Sequence, residues 1–121
     1  VSLPVPLASL AEQVERFGEV VYVITADEHG KGHVVSVTVA SREGELVVAA
    51  GRRTSRNVEA TRTATLLWPA PPAEPYSLIV DGDARLDEGR AQVVIRPTRA
   101  VLHRVADADA DLPSCVTVLE T

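Results

Sequence analysis

Cysteine is all but missing. Cys115 stands alone among 121 residues, so the chain can close no disulfide of its own and build no cysteine-rich metal site, and the simplest compartment for it is the reducing cytoplasm. Long apolar runs are missing too: the longest reach about five residues, far below the ~20 that cross a bilayer as a helix. The opening VSLPVPLASL lacks the basic region of a signal peptide, so no membrane partner is expected. Positive charge is in deficit, with 12 Lys and Arg against 17 Asp and Glu and a net charge of −5. That balance excludes a general nucleic-acid binder, whose affinity comes from neutralising phosphates over a basic surface. Internal repeats are absent, and the proline-dense PAPPAEP is the one biased segment. No Ser-His-Asp or Cys-His arrangement can be argued from the spacings, so any chemistry has to come from a cofactor.

What is there suits a single domain spanning residues 1–121, because 45% apolar and 24% charged residues can build one core, alone or completed by a partner subunit. Ser9-Leu10-Ala11-Glu12 reads as a capping box, and Leu10, Val14 and Phe17 then recur at helical spacing until Gly18 can end the helix. EVVYVITA and HVVSVTVA follow as β-branched runs joined by DEHGKG, whose leading Asp and two glycines supply hairpin chemistry. In the second run Val35, Val37 and Val39 share one face and Ser36 and Thr38 the other, so period two leaves a polar side that faces something other than core.

LVVAA makes a third strand after the turn SREGE, and ATLLW a fourth, ended by a proline loop that should be stiff and exposed. YSLIVDGDARL and AQVVIRPTRAVLHR complete the set, with Gly82 and Pro97 each marking a bulge or bend. Six long, mostly hairpin-connected strands and two helices predict a mainly β fold. A closed or split antiparallel barrel is favoured over an open sheet, because closure removes unpaired edges.

Against the acidic background, GRRTSRNVEA places Arg52, Arg53 and Arg56 within five positions. Across residues 51–63 four arginines face one glutamate, a local +3 that leaves −8 for the rest of the chain. Thr54 and Ser55 can cap a short helix running to about Thr63. Cations at a helix N-terminus oppose its partial positive charge unless an anion sits among them. The cluster therefore reads either as a cradle for a small anionic ligand or as a solvated face with local salt bridges.

The order of elements, with RTSRNV leading into ATLLW, the glycine of LIVDGDARL and IRPTRAVLHR in the last strand, resembles the pyridoxamine 5'-phosphate oxidase-like, FMN-binding split-barrel family over about residues 7–104. The resemblance implies a six-stranded antiparallel split β-barrel with two short flanking helices. It also implies a homodimer with flavin mononucleotide (FMN) at the subunit interface, acting on a small-molecule substrate. Carried over by position, Arg53 and Arg56 would contact the phosphate, with Thr54 and Ser55 adding hydroxyl or amide donors; Asn57 would support the backbone locally. Ser36 and Thr38 would lie along the ring or ribityl chain. Many members carry lysine where this chain has Thr54, which leaves a deazaflavin-dependent reductase, or a non-enzymatic protein binding flavin or haem, as alternatives. The ending DADADLPSCVTVLET replaces the basic, tryptophan-containing segment of pyridoxamine phosphate oxidases proper, so that oxidation is not expected.

Other chemistry-bearing residues have plainer readings. His29 and His33 straddle GKG in the first hairpin and read as turn decoration, and His103 as a packed or solvent-tipped imidazole at a strand end. Asp107, Asp109 and Asp111 imitate the start of a calcium loop, but Leu112 and Val118 stand where glycine and glutamate are required. Trp68 and Tyr76 flank the proline loop and read as core or interface residues.

Overall fold

The computed structural model describes residues 2–105. Cys115 and the aspartates from Asp107 to Asp111 lie outside the described residues.

The elements run β1 (Ser2–Pro4), α1 (Leu10–Phe17), β2 (Val20–Ala26), β3 (Gly32–Arg42), β4 (Glu45–Ala49), α2 (Arg52–Thr61), β5 (Thr63–Trp68), β6 (Tyr76–Asp87) and β7 (Gln92–Arg104), with 3-10 turns at Leu7–Ser9 and Glu88–Arg90. Neighbouring strands pair antiparallel in the order β1-β7-β4-β3-β2-β5-β6, and β6 returns to pair with β7. Strands β2 to β7 thus close a six-stranded barrel, as the hairpin pattern predicts. The seventh strand, β1, pairs Pro4 with Val101 at the free side of β7 and was not foreseen, being three residues long and proline-ended.

Closure depends on the bend expected at Gly82 and Pro97. These two residues face each other where the β6–β7 register is irregular. There Gly82 lies so close to β7 that a Cβ would fall 2.6 Å from both the Arg96 carbonyl oxygen and the Ile95 Cγ2. Pro97, which has no N–H to give a ladder, sits between the part of β7 that pairs with β4 and the part that pairs with β1. One strand can therefore serve three neighbours.

The inward-facing residues alternate as period two requires. Val21 and Val23 of β2, Leu66 and Trp68 of β5, Leu78 and Val80 of β6 and Val93 and Ile95 of β7 form the core, closed by Leu10 and Val14 from α1 and Val58 from α2. Trp68 is fully buried, and its Nε1–H donates to the Gly18 carbonyl at 2.9 Å, so the largest core side chain also ties β5 to the end of α1. Tyr76 is half-buried. Gly18 ends α1 as expected, with its N–H on the Val14 carbonyl and a φ of 96°. The proline loop is largely exposed, and Glu74 within it is held by Arg16 of α1 at 2.6 Å.

Two capping expectations fail. Ser9 does occupy the N-cap of α1, but its side chain makes no cap bond: the preceding 3-10 turn gives it φ −98° and ψ 1°, away from the extended conformation that presents a capping hydroxyl. In α2 the N-cap is Gly51, so Thr54 and Ser55 lie inside the first turn and cap nothing. The helix stops at Thr61 because Arg62 turns left-handed at φ 61°, which lets Thr63 begin β5.

Candidate functional site

Helix α2 is amphipathic in a way its sequence barely shows. Thr54, Asn57 and Val58 recur at helical spacing and are buried, which turns the flanking Arg53 and Arg56 outward. They face the hairpin that joins β2 to β3. Between the two elements lies an open cleft of about 350 Å³, lined by Arg53, Arg56, Asn57 and Ala60 on the helix side and by residues 27–29 and 31–33 on the hairpin side.

The hairpin wall is held by its first residue. Asp27 Oδ1 accepts from the backbone N–H groups of His29 at 2.8 Å and Lys31 at 2.9 Å, and Gly30, at φ 83°, gives its N–H to the Asp27 carbonyl. The Lys31 bond first, and the His29 bond after it, hold the Asp27 carboxyl below its ordinary pKa. That carboxylate is thereby engaged by its own turn while Lys31 stands in the cleft wall.

At the floor the antiparallel register sets Thr25 directly opposite His33 on the inner face. Thr25 Oγ1 accepts from Asn57 Nδ2 at 3.1 Å, a buried bond that locks α2 onto β2.

In the cleft lining three cations, Arg53, Arg56 and Lys31, stand against two carboxylates, Asp27 and Glu28. Five arginines elsewhere are paired: Arg16 with Glu74, Arg85 with Glu45, Arg90 with Asp87, Arg96 with Asp83 and Arg99 with Asp81. Among the described residues Arg42 of β3 and all four arginines of the segment, Arg52, Arg53, Arg56 and Arg62, have no ion-pair partner. Local salt bridges therefore do not neutralise this exposed segment among the described residues. Two unpaired guanidinium groups and one ammonium, supplied by two elements, point at one cleft. Guanidinium forks of this kind match phosphate or carboxylate oxygens.

The six residues singled out from sequence do not converge. Arg53 and Arg56 line the cleft. Thr54 is only 2% exposed and is turned toward the body of the barrel, and Ser55 is half-buried and outside the cleft lining. Ser36 and Thr38 do lie on an outward face of β3, but it is a different surface: Ser36 pairs with Tyr22 and Thr38 with Val20. That face is strongly apolar, since Val20, Tyr22 and Val34 are 59%, 40% and 56% exposed and Leu67 of β5 sits beside Tyr22.

Lys31, His33 and Asn57 were not anticipated as cleft residues. No local pattern marks them, because their convergence depends on the β2–β3 register and on the seat of α2; only the Asp at the head of DEHGKG hints at an ordered wall.

No family model matches the chain. It is 38% identical over 108 residues to the uncharacterized proteins Mb0449c of Mycobacterium bovis and MT0457 of Mycobacterium tuberculosis, covering 77% of this chain and 75% of each of theirs. The chain belongs to their family. Among solved structures the barrel is similar to HupZ of Group A Streptococcus (TM-score 0.63, 10% identity, 77% of this chain and 93% of that one). It is also similar to a heme-binding protein from Mycobacterium smegmatis (0.60, 18%, 78% and 52%) and to an F420 reductase (0.56, 16%, 68% and 88%). At such identities the likeness is one of fold, and it agrees with the split barrel expected above.

Proposed function

We propose that this protein and its mycobacterial relatives bind FMN with the phosphate in the cleft at Arg53, Arg56 and Lys31, as members of the pyridoxamine phosphate oxidase-like proteins. The observation that carries this reading is that cations stand on both walls of one cleft, Lys31 on the hairpin and, on the helix, Arg53 and Arg56 without ion-pair partners. A phosphate dianion suits that donor set in charge and in the geometry of its oxygens. The RTSRNV phrase and the barrel's likeness to cofactor-binding neighbours support it.

When bound, the flavin would supply the hydride or electron chemistry, and the protein's part is to hold and orient it. Ser36 and Thr38 could meet the ring only outside the cleft, on the apolar face around Tyr22. A second copy laid on that face would bury it, giving a homodimer with the ring at the interface and a small-molecule substrate approaching its open side. The protein would then be a small oxidoreductase.

The likeness to the heme-binding neighbour favours a second reading in which the cleft takes the carboxylates of haem, for storage or sensing. A deazaflavin, whose tail also carries phosphate, would use the same cations. Titration of the purified protein with FMN and with haemin separates these: saturable quenching of flavin fluorescence is expected, followed by flavin reduction with turnover on adding a nicotinamide donor. Saturation by haemin with no FMN binding would overturn the flavin assignment, and FMN binding without turnover would leave a carrier.

A further inference from the structure

Along one side β7 changes partners, pairing with β4 as far as Ile95 and with β1 from Val101. Among the described residues no strand pairs with residues 96–99 on that side. The local sequence accounts for the gap. Glu43 and Gly44 turn left-handed, at φ 52° and 81°, and reverse the chain just before β4 begins at Glu45, while Pro97 has no N–H to offer a further strand. Beside this slit, under α1, lies a groove of about 280 Å³ that shares no residue with the cleft at α2. Leu10 and Val14 of α1 meet Leu46 of β4 across it, and all three belong to the core, so the groove reaches the core itself. Residues 8 and 11 of its helix wall are both alanine, and longer side chains there would fill the space.

Two charged groups line the groove, Glu45 and Arg96. Glu45 is fully engaged, since both its carboxylate oxygens accept from Arg85, at 2.7 and 3.1 Å. Arg96 is not. Its Nη2 donates to Asp83, and among the described residues no bond uses its Nε or Nη1. An apolar channel thus ends beside guanidinium donors that can still take an acceptor.

We propose that this groove binds a medium-chain alkyl carboxylate, with the chain under α1 against Leu10, Val14 and Leu46 and the carboxylate on the open N–H groups of Arg96. The pairing is independent of the anion cleft. A carboxylate fits better than a phosphate dianion, because Asp83 and Glu45 stand close by and leave room for a single negative charge. Size sets the chain length: at ~30 Å³ for each water-sized share, the space takes about nine such units, roughly an eight-carbon acid. Small-molecule sites commonly join an apolar lining to a few polar anchors in this way.

The test is an amide chemical-shift titration of the full chain with octanoate, butyrate and 1-octanol, each kept below aggregation. Octanoate should shift α1 and the β3–β4 turn and bind roughly tenfold or more tighter than butyrate, since each buried methylene is worth up to about fourfold. Arg96→Gln should weaken octanoate by about tenfold and leave 1-octanol unchanged. Ala11→Phe, a change at an exposed helix position, should plug the groove and abolish binding of both. Equal affinity for octanoate and butyrate, or shifts centred on Tyr22 and Val34 of the outer apolar face, would overturn the proposal. Undiminished octanoate binding by Ala11→Phe would do the same, and undiminished binding by Arg96→Gln would remove the carboxylate assignment.

Discussion

Replacing Gly82 by alanine poses a question of sign. Gly82 lies in a strand without the left-handed φ that favours glycine, and in open space the exchange would stabilise a protein by about 0.4–1 kcal/mol through the unfolded chain. Space is what this position lacks. The new Cβ would stand 2.6 Å from the Arg96 carbonyl oxygen, 2.6 Å from Ile95 Cγ2 and 3.0 Å from the Arg96 carbonyl carbon. Two of those atoms are backbone of β7, and Ile95 is fully buried, so neither side can step aside without moving β7 against its other partner, β4. Overpacking of this kind costs about 3 kcal/mol, the upper end of the usual range. The net loss is then about 2 kcal/mol, or a fall in Tm of roughly 8 °C for a domain of this size. Gly32→Ala is the control, since a Cβ there meets nothing within 4 Å. Thermal melts of the three proteins by circular dichroism decide the matter. Gly82→Ala melting with the wild type would refute the argument that closure of the barrel needs this close approach.

Trp68→Phe should cost about 2–3 kcal/mol in urea unfolding, from lost core volume together with an unpaired Gly18 carbonyl; a change below 1 kcal/mol would mean the indole bond contributes nothing. Glu45 is held below its ordinary pKa chiefly by its hydrogen bonds to Arg85, at 2.7 and 3.1 Å. A depressed carboxylate stabilises the fold above its unfolded pKa and loses that contribution as pH falls through the folded value. Glu45→Gln should therefore melt below the wild type at neutral pH, with the gap closing in acid, and a gap independent of pH would contradict this. For assembly, sedimentation should show a wild-type dimer at micromolar concentration and a monomer for Tyr22→Glu combined with Val34→Glu, which place charge in the apolar outer face. A wild-type monomer would remove the interface.

Much of the fold is legible in the residues because each strand carries its own signal. EVVYVITA and HVVSVTVA alternate cleanly around an Asp-led, glycine-containing turn, and they become β2 and β3 nearly to the residue. Gly82 and Pro97 announce a bend because each breaks a rule for strand interiors, and the register shows them opposite one another. Helix caps were less legible, since Ser9 and Thr54 have the right side chains but the wrong backbone or position. Of the site, Arg53 and Arg56 stood out as charge against an acidic background. Thr54 and Ser55 lie outside the cleft lining because adjacency in a helix does not mean a shared face: residue 54 turns inward where 53 and 56 turn out. Lys31, His33 and Asn57 join the cleft through pairings between residues as far apart as Thr25 and Asn57, which no local pattern encodes.

The central claim is that the unpaired arginines of α2 exist to hold a phosphate, and flavin fluorescence titration tests it with one pair of ligands. FMN and riboflavin differ only in the phosphate, so Arg53→Ala and Arg56→Ala should each weaken FMN binding while leaving riboflavin unchanged. Loss of one charged hydrogen-bond partner is worth about 1.5–3 kcal/mol, on the order of ten- to a hundredfold in affinity. Equal affinity for FMN and riboflavin in the wild type and in both variants would contradict the claim.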